Sequence, residues 1–96
     1  MTTKQHFTSE EAAEVARQLG IDFAQRKFAL ESFRRGMDVE LEHGTVDSHT
    51  NVSNDDPLIT GKIALAHLNE FPDYYERLDE MEKEAEAFWE TQKESE

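Results

Sequence analysis

The sequence predicts a small all-α protein, a four-helix bundle-like single domain with a long polar loop between helices two and three. Two observations lead to this prediction. Apolar residues recur at intervals of three or four in four separate segments, which is the spacing of one face of an α-helix. Each segment also starts or stops at a residue that caps or breaks helices. The 96 residues suffice for one modest domain, which we expect to span 1–96 with frayed ends at 1–6 and 92–96.

The first helix has the clearest boundaries. Thr8 is the expected N-cap, and Glu11 three residues later completes a capping box, in which each side chain bonds the backbone N–H of the other residue. Apolar residues then repeat at helical spacing as far as Gly20, a residue type that commonly ends helices. In the connector that follows, Asp22 with Gln25 predicts a short helical turn.

The second helix is predicted from about Ala29 to His43, where Gly44 stops it. Its buried stripe consists of four apolar residues: Leu30, Phe33, Met37 and Leu41. Nearly all residues of the next segment, 45–56, are types that form caps and turns. A loop of this length is unusual in a compact domain, and such loops are usually functional or mobile.

The third helix is expected to begin at Pro57, with Asp56 as its N-cap. Its apolar residues make it broadly hydrophobic and predict that it is the most buried helix: Leu58, Ile59, Ile63, Ala66 and Leu68. Gly61 costs this helix about 1 kcal/mol relative to Ala. We therefore expect a neighbouring backbone to approach it closely.

The fourth helix is predicted to start at Pro72, which interrupts the preceding pattern. Its apolar residues follow a heptad-like spacing from Tyr75 to Phe88, with Tyr74 and Trp89 alongside. This stripe is expected either to cover the core or to pair with a second copy of the chain. Nine acidic and three basic residues between 76 and 96 predict a solvated outer face.

Charge and composition exclude several classes of function. The net charge is -12, from 22 acidic and 10 basic residues, so we expect neither nucleic-acid binding nor adhesion to an anionic membrane. Such a surface favours cations or a basic partner. The absence of cysteine excludes disulfides, thiolate catalysis, Cys-type zinc sites and iron–sulfur clusters. No apolar stretch resembles a signal peptide or a membrane span, so we expect a soluble, cytoplasmic protein.

Two Glu/His couples carry the chemical signal in this sequence, Glu40 with His43 and His67 with Glu70. Glu40 continues the apolar stripe of the second helix, so its carboxylate is expected to point toward the core. Within each couple the residues are three apart, which places their Cβ atoms about 5–6 Å from each other. Because a buried charge is costly without a partner, an inward Glu calls for an explanation.

Two explanations are open. The first is a divalent metal ion, Zn, Fe or Mn, with Glu40, His43, His67 and Glu70 as its ligands, since imidazoles and carboxylates suit these metals. Helical bundles build metal sites from Glu and His residues three apart. The second explanation is a network of Glu–His hydrogen bonds that satisfies the buried groups and holds the helices together.

A single site would place a condition on the topology. His67 follows Pro57 by ten residues, which is about 15 Å along the helix axis. A plain hairpin would therefore keep the two couples apart. The third helix must instead cross the second or run beside it in the same direction, and the loop at 45–56 is long enough to permit this. At the start of the fourth helix, Tyr74 or Tyr75 is expected to pack with its hydroxyl bonded to a buried acid.

Two motifs underlie a family resemblance. Residues 39–43 read Val-Glu-x-Glu-His, and residues 67–75 read His-Leu-x-Glu-x-Pro-x-Tyr-Tyr. With both motifs, the chain resembles an uncharacterised family of small bacterial and phage-associated proteins over about residues 7–85. The matching residues are Glu40, Glu42, His43, His67, Glu70, Pro72, Tyr74 and Tyr75. The resemblance implies that the Glu/His set matters, and it names no reaction.

Two functions follow as hypotheses. The first is a divalent-metal-binding helical domain with the four-residue ligand set Glu40, His43, His67 and Glu70. The alternative is a non-enzymatic, acidic interaction or accessory module that binds a basic protein partner or forms a homodimer. Phage association would fit such an accessory protein.

Overall fold

The computed structural model describes residues 6–94, and within this range it contains four α-helices and no strand. The helices are α1 (Ser9–Leu19), α2 (Leu30–Glu40), α3 (Pro57–Glu70) and α4 (Tyr74–Glu94). Two short 3-10 turns, Phe23–Gln25 and Leu41–His43, follow α1 and α2. The predicted all-α fold is confirmed. Of the ends expected to be frayed, 1–5 and 95–96 lie outside the described residues, and α4 is helical as far as Glu94.

Local interactions set the ends of α1 and α3 as predicted. The Thr8 hydroxyl accepts a hydrogen bond from the Glu11 N–H (3.1 Å), and the Glu11 carboxylate accepts one from the Thr8 N–H (2.8 Å). Gly20 ends α1 in the left-handed conformation (φ 73°), which glycine adopts without steric cost. Asp56 caps α3 by accepting a hydrogen bond from the Ile59 N–H (3.0 Å). These helix ends are therefore encoded within three or four residues.

Two helix ends differ from the prediction. The α-helical part of α2 stops at Glu40, and the chain tightens into a 3-10 turn as far as His43. The start of α4 is at Tyr74 rather than Pro72, because the Tyr74 N–H donates to the Phe71 carbonyl (3.0 Å) and closes a turn before the helix.

Helices α1, α2 and α3 enclose the hydrophobic core, with one contribution from α4. The buried apolar residues are Phe7, Ala12, Val15, Ala16, Ile21, Phe28, Phe33, Met37, Leu41, Ala64, Leu68 and Tyr75. Four of the 11 residues of α2 are buried, against four of the 14 in α3. The prediction that α3 is the most buried helix is therefore wrong. Its apolar residues surround it on all sides, whereas one face alone meets the core, and Ile59 and Ala66 are exposed.

Helices α2 and α3 run side by side in the same direction. Near their beginnings Gly61 faces the ring of Phe33, and near their ends His67 lies close to Glu40. The start of one helix thus contacts the start of the other, and the end contacts the end. In an antiparallel hairpin, the start of one helix would contact the end of the other. The topological condition for one shared Glu/His cluster is met.

The loop between α2 and α3 is attached to the end of α2. The His43 carbonyl accepts hydrogen bonds from the N–H groups of Val52 (2.7 Å) and Ser53 (3.3 Å). Across the loop, the Asp55 carboxylate accepts hydrogen bonds from the Thr45 N–H (2.9 Å) and the Thr45 hydroxyl (2.6 Å). The loop therefore returns the chain to the start of α3 and also holds the backbone of His43.

Helix α4 packs on the body at its beginning and then extends away from it. Tyr75 is buried and Leu78 is partly buried, whereas residues 79–93 are all exposed. The described chain is correspondingly elongated, with principal extents of 50 × 33 × 19 Å. Among residues 6–94, no helix combines the length and the apolar character that crossing a membrane requires.

We predict that Gly61→Ala destabilises the protein by about 1–2 kcal/mol, although Ala is the better helix former. A Cβ atom at position 61 would collide with Val15 Cγ1 and press on the ring of Phe33, so side chains rather than backbone explain this glycine. Val15 is β-branched and has little rotamer freedom in a helix. Urea unfolding at neutral pH measures the loss.

The exposed neighbour Lys62 provides the matched control, since Lys62→Ala leaves the packing intact. The double variant Gly61→Ala with Val15→Ala should lose less stability than the sum of the losses in the two single variants, because the smaller side chain removes the collision. A Gly61→Ala variant more stable than the natural chain would contradict this account of the packing.

Candidate functional site

The site is organised around the carboxylate of Glu40, the last residue of α2. Glu40 is 3% exposed, because it continues the stripe of Phe33 and Met37 into the core. Within residues 6–94, no Lys or Arg lies within ion-pair distance of it, and the two arginines of α2, Arg34 and Arg35, pair with other carboxylates. A carboxylate buried in this way depends on hydrogen-bond donors and on its other neighbours.

Tyr75 of α4 supplies the hydrogen bond. Its hydroxyl donates to Glu40 Oε2 at 2.7 Å, which confirms the prediction that one tyrosine bonds a buried acid. Burial, and then the hydrogen bond to Glu40, raise the pKa of Tyr75 well above its ordinary value, so the hydroxyl keeps its proton. The tyrosine ring reaches this position because Gly36 has no side chain: a Cβ atom there would lie 2.5 Å from Tyr75 Cε2.

Two imidazoles approach Glu40 from different elements. His43, in the 3-10 turn, places its Nε2 atom 3.7 Å from Glu40 Oε1. His67, in α3, places its Nε2 atom 3.7 Å from Glu40 Oε2. The two histidines thus face opposite oxygens of one carboxylate, at distances slightly longer than a hydrogen bond. The structure brings these three predicted site residues together.

Aromatic contacts orient the ring of His67. Tyr74 stacks on it with 4.2 Å between ring centroids and 9° between planes, and Tyr75 meets it edge-on at 6.3 Å. The pKa of Tyr74 is raised by its burial and by the neighbouring negative charges of Glu40, Glu70 and Glu42. With one ring face stacked and one contact edge-on, His67 directs Nε2 at Glu40, while Nδ1 lies on the other side of the ring near Glu70.

Glu70 contacts His67, but on the ring nitrogen that does not face Glu40. Its Oε1 atom is 3.7 Å from His67 Nδ1, and its side chain is 70% exposed. It therefore faces the side of the imidazole that points away from Glu40. The buried Nδ1 atom has no hydrogen-bond partner among the described residues. Glu42, one of the residues that carry the family resemblance, is exposed, and its Oε1 atom lies 3.4 Å from His43 Nε2.

Residues that position the site were harder to foresee. Gly36 could have been noticed as a glycine on the buried stripe of α2, next to Met37. The hydrogen bonds from Val52 and Ser53 to the His43 carbonyl had no signal in the sequence beyond the polar loop itself. The other two described histidines, His6 and His49, are exposed, and they contact Asp38 and Asp47 rather than Glu40.

The arrangement combines one carboxylate with two imidazole nitrogens that converge on it. Such a set can hold a cation between the helices or form a hydrogen-bond network. Within residues 6–94, no group of three or more His, Cys, Asp or Glu side chains stands ready-made for a metal ion.

We predict that Tyr75→Phe lowers the free energy of unfolding by about 1.5–3 kcal/mol, the usual contribution of a hydrogen bond to a charged group. The change keeps the ring that packs against Gly36 and removes only the donor to Glu40. Tyr74→Phe is the matched control, because Tyr74 contributes a stacked ring rather than that bond. If the two variants have equal free energies of unfolding, the Tyr75 hydroxyl does not stabilise the fold.

Alkaline titration gives a second prediction, because Tyr74 and Tyr75 are the only tyrosines of the chain. The native protein should show phenolate absorbance only above the ordinary tyrosine pKa of about 10. Above that pH the unfolded chain has lost protons that native Tyr75 retains, so stability falls as pH rises, with a slope approaching about 1.4 kcal/mol per pH unit. Tyr75→Phe should flatten the slope. A native phenolate midpoint of about 10 for both tyrosines would contradict the raised pKa values.

The comparisons with known proteins agree with the sequence interpretation at the level of the family. A family model described as protein of unknown function, DUF5661, matches residues 12–84, which include both Glu/His couples and all of α2 and α3. No curated protein and no solved structure matches the chain. The phage association and the specific role of the two motifs stay predictions. The match covers most of the chain, which therefore belongs to the DUF5661 family of unknown function.

Proposed function

We propose that Glu40, His43 and His67 bind a divalent transition-metal ion, and that this binding is the biochemical function of the site. The observation that carries the proposal is a buried carboxylate with an imidazole Nε2 atom 3.7 Å from each of its oxygens. The three residues come from the end of α2, the following turn and α3.

The charge of Glu40 is the first support. A carboxylate removed from water needs a compensating charge or several donors, and Tyr75 provides a single hydrogen bond. Among the described residues, neither Lys nor Arg neutralises it. A divalent cation between Glu40 and the two histidines would supply the missing positive charge where it is needed.

The ligand types are the second support. Imidazole nitrogen together with carboxylate oxygen suits zinc, iron and manganese, and sets of two histidines and one carboxylate occur for zinc and for non-haem iron. Three protein ligands leave at least one coordination position for water or a substrate. Toward a molecule bound at that position, the metal would act as a Lewis acid or a redox centre.

Metal binding requires both imidazoles to move, because they face different oxygens of the Glu40 carboxylate. In a tetrahedral zinc site with bonds of about 2.0–2.1 Å, neighbouring ligand atoms lie roughly 3.3–3.4 Å apart. The two N–O distances here are 3.7 Å, so each imidazole would approach Glu40 by at least roughly 0.3–0.4 Å and would turn toward a common point. The side chain of His43 is 45% exposed and that of His67 is 30% exposed, which leaves both rings room for such a shift.

Glu70 receives a different role from the one predicted from its spacing. Histidines that bind a metal through one nitrogen usually donate the other N–H to a carboxylate or carbonyl, which fixes the ring. Glu70 Oε1 lies 3.7 Å from His67 Nδ1, the nitrogen that faces away from Glu40. In this proposal Glu70 orients His67 and does not bind the metal.

We predict that protein purified without a histidine tag contains Zn, Fe or Mn in near-stoichiometric amount, measured by elemental analysis. At a free metal concentration of a hundred times Kd, binding stabilises the fold by about 2.7 kcal/mol. For a domain of this size that corresponds to a rise in Tm of roughly 10–20 °C. A chelator should reverse the rise.

His67→Ala and Glu40→Gln should abolish both the metal content and the metal-dependent rise in Tm. His49→Ala is the matched control, because His49 is 93% exposed and lies in the loop away from Glu40. Glu70→Gln should weaken binding by about 10–100-fold, as is usual when the partner of a metal-bound histidine is removed. If the purified protein is metal-free and neither metal nor chelator changes its Tm, the proposal fails, and the cluster serves only as a hydrogen-bond network.

A further inference from the structure

Helix α4 carries an apolar surface that the rest of the described chain leaves uncovered. The α4 seam consists of five residues at alternating intervals of four and three, Tyr74, Leu78, Met81, Ala85 and Phe88, and Phe71 adjoins it from the turn that precedes α4. Phe71, Met81 and Phe88 are 50%, 57% and 53% exposed, and Trp89 at the edge of the seam is 62% exposed. This is the heptad pattern of a helix that packs along another helix.

The seam begins at a groove next to the body. Five residues line this groove, which has a volume of about 240 Å³: Phe71, Tyr74, Arg77, Leu78 and Met81. The groove offers a recess for side chains of a docked helix, and the exposed part of the seam continues from it along α4. Contiguous exposed apolar surface of this kind is typical of interaction sites.

Acidic residues border the seam on both sides. In heptad terms, Glu82 flanks one side together with Tyr75 and Trp89, and Glu84 flanks the other side together with Arg77 and Thr91. Between residues 79 and 93 there are six carboxylates and two lysines, and Lys83 is already paired with Asp79 (3.5 Å) and Glu80 (3.7 Å). Arg77 is paired with Asp73 (2.9 Å), so the borders of the seam present net negative charge from Glu82 and Glu84.

We propose that the α4 seam docks a cationic amphipathic helix of a partner protein. Apolar residues of that helix would fill the seam and the groove, and its Lys or Arg residues would pair with Glu82 and Glu84. A second copy of this chain fits less well, because it would bring another acidic helix against the first, in a protein whose net charge is already -12. This inference does not depend on metal binding at Glu40.

The test uses the full chain and a synthetic helical peptide of about four heptads with Leu at positions a and d and Lys at positions e and g. Trp89 is the only tryptophan, and it adjoins the seam, so docking should shift its emission to shorter wavelength. We expect saturable one-to-one binding by calorimetry, weakened by added salt because the bordering charges are exposed.

Three double variants separate the seam from general acidity. Met81→Gln with Phe88→Gln should weaken peptide binding at least tenfold without changing charge, and helix content and Tm should persist because neither residue touches the core. Glu82→Lys with Glu84→Lys should also weaken it at least tenfold. The same change of charge at Glu86 and Glu90, on the outer side of α4, should have a clearly smaller effect.

Three results would overturn the proposal. The first is unchanged Trp89 emission at saturating peptide, and the second is equal loss of binding in both charge-reversal pairs. The third is a concentration-dependent dimer without peptide, seen by sedimentation together with a blue shift of Trp89, which would assign the seam to a second copy of the chain.

Discussion

The buried carboxylate of Glu40 is the constraint that relates the parts of this fold to one another. Removing an ionisable group from water costs several kcal/mol unless polar partners replace the lost hydration. Those partners come from separate elements: Tyr75 from α4, His67 from α3 and His43 from the turn after α2. Apolar contacts tolerate small displacements, whereas the hydrogen bond between Tyr75 and Glu40 is directional. Glu40 therefore determines where the ends of α2 and α3 and the start of α4 meet.

That meeting point requires α2 and α3 to run in the same direction, which in turn explains the long loop. The chain has to return the length of a helix before α3 can begin, and residues 44–56 do so with polar groups that bond one another and the end of α2. Asn54 and Asp55 adopt positive φ angles (53° and 61°), a conformation these two residue types tolerate better than most. The polar composition of the loop thus provides turn geometry and backbone hydrogen bonds as well as solubility.

Features that depend on a few neighbouring residues could be predicted from the sequence. The cap at Thr8, the stop at Gly20 and the inward direction of Glu40 all follow from intervals of three or four residues. Features that depend on which face of a helix packs against another helix could not be predicted from the sequence. Helix α3 is apolar on all sides, so its pattern does not reveal that Ile59 is exposed. Likewise, spacing places Glu70 near His67 but cannot tell which ring nitrogen it faces, since that orientation comes from stacking on another helix.

The heptad pattern of α4 was equally ambiguous. It indicates that one face of the helix packs against another surface, but it does not identify that surface. Tyr74 connects the α4 seam with the cluster around Glu40. One face of its ring stacks on His67, and the same residue lines the groove where the α4 seam begins. A helix seated in that groove would shield Tyr74 from water and lower the local dielectric around His67, where electrostatic interactions with a bound cation become stronger. If both ligands bind, linkage requires that each changes the affinity for the other by the same factor.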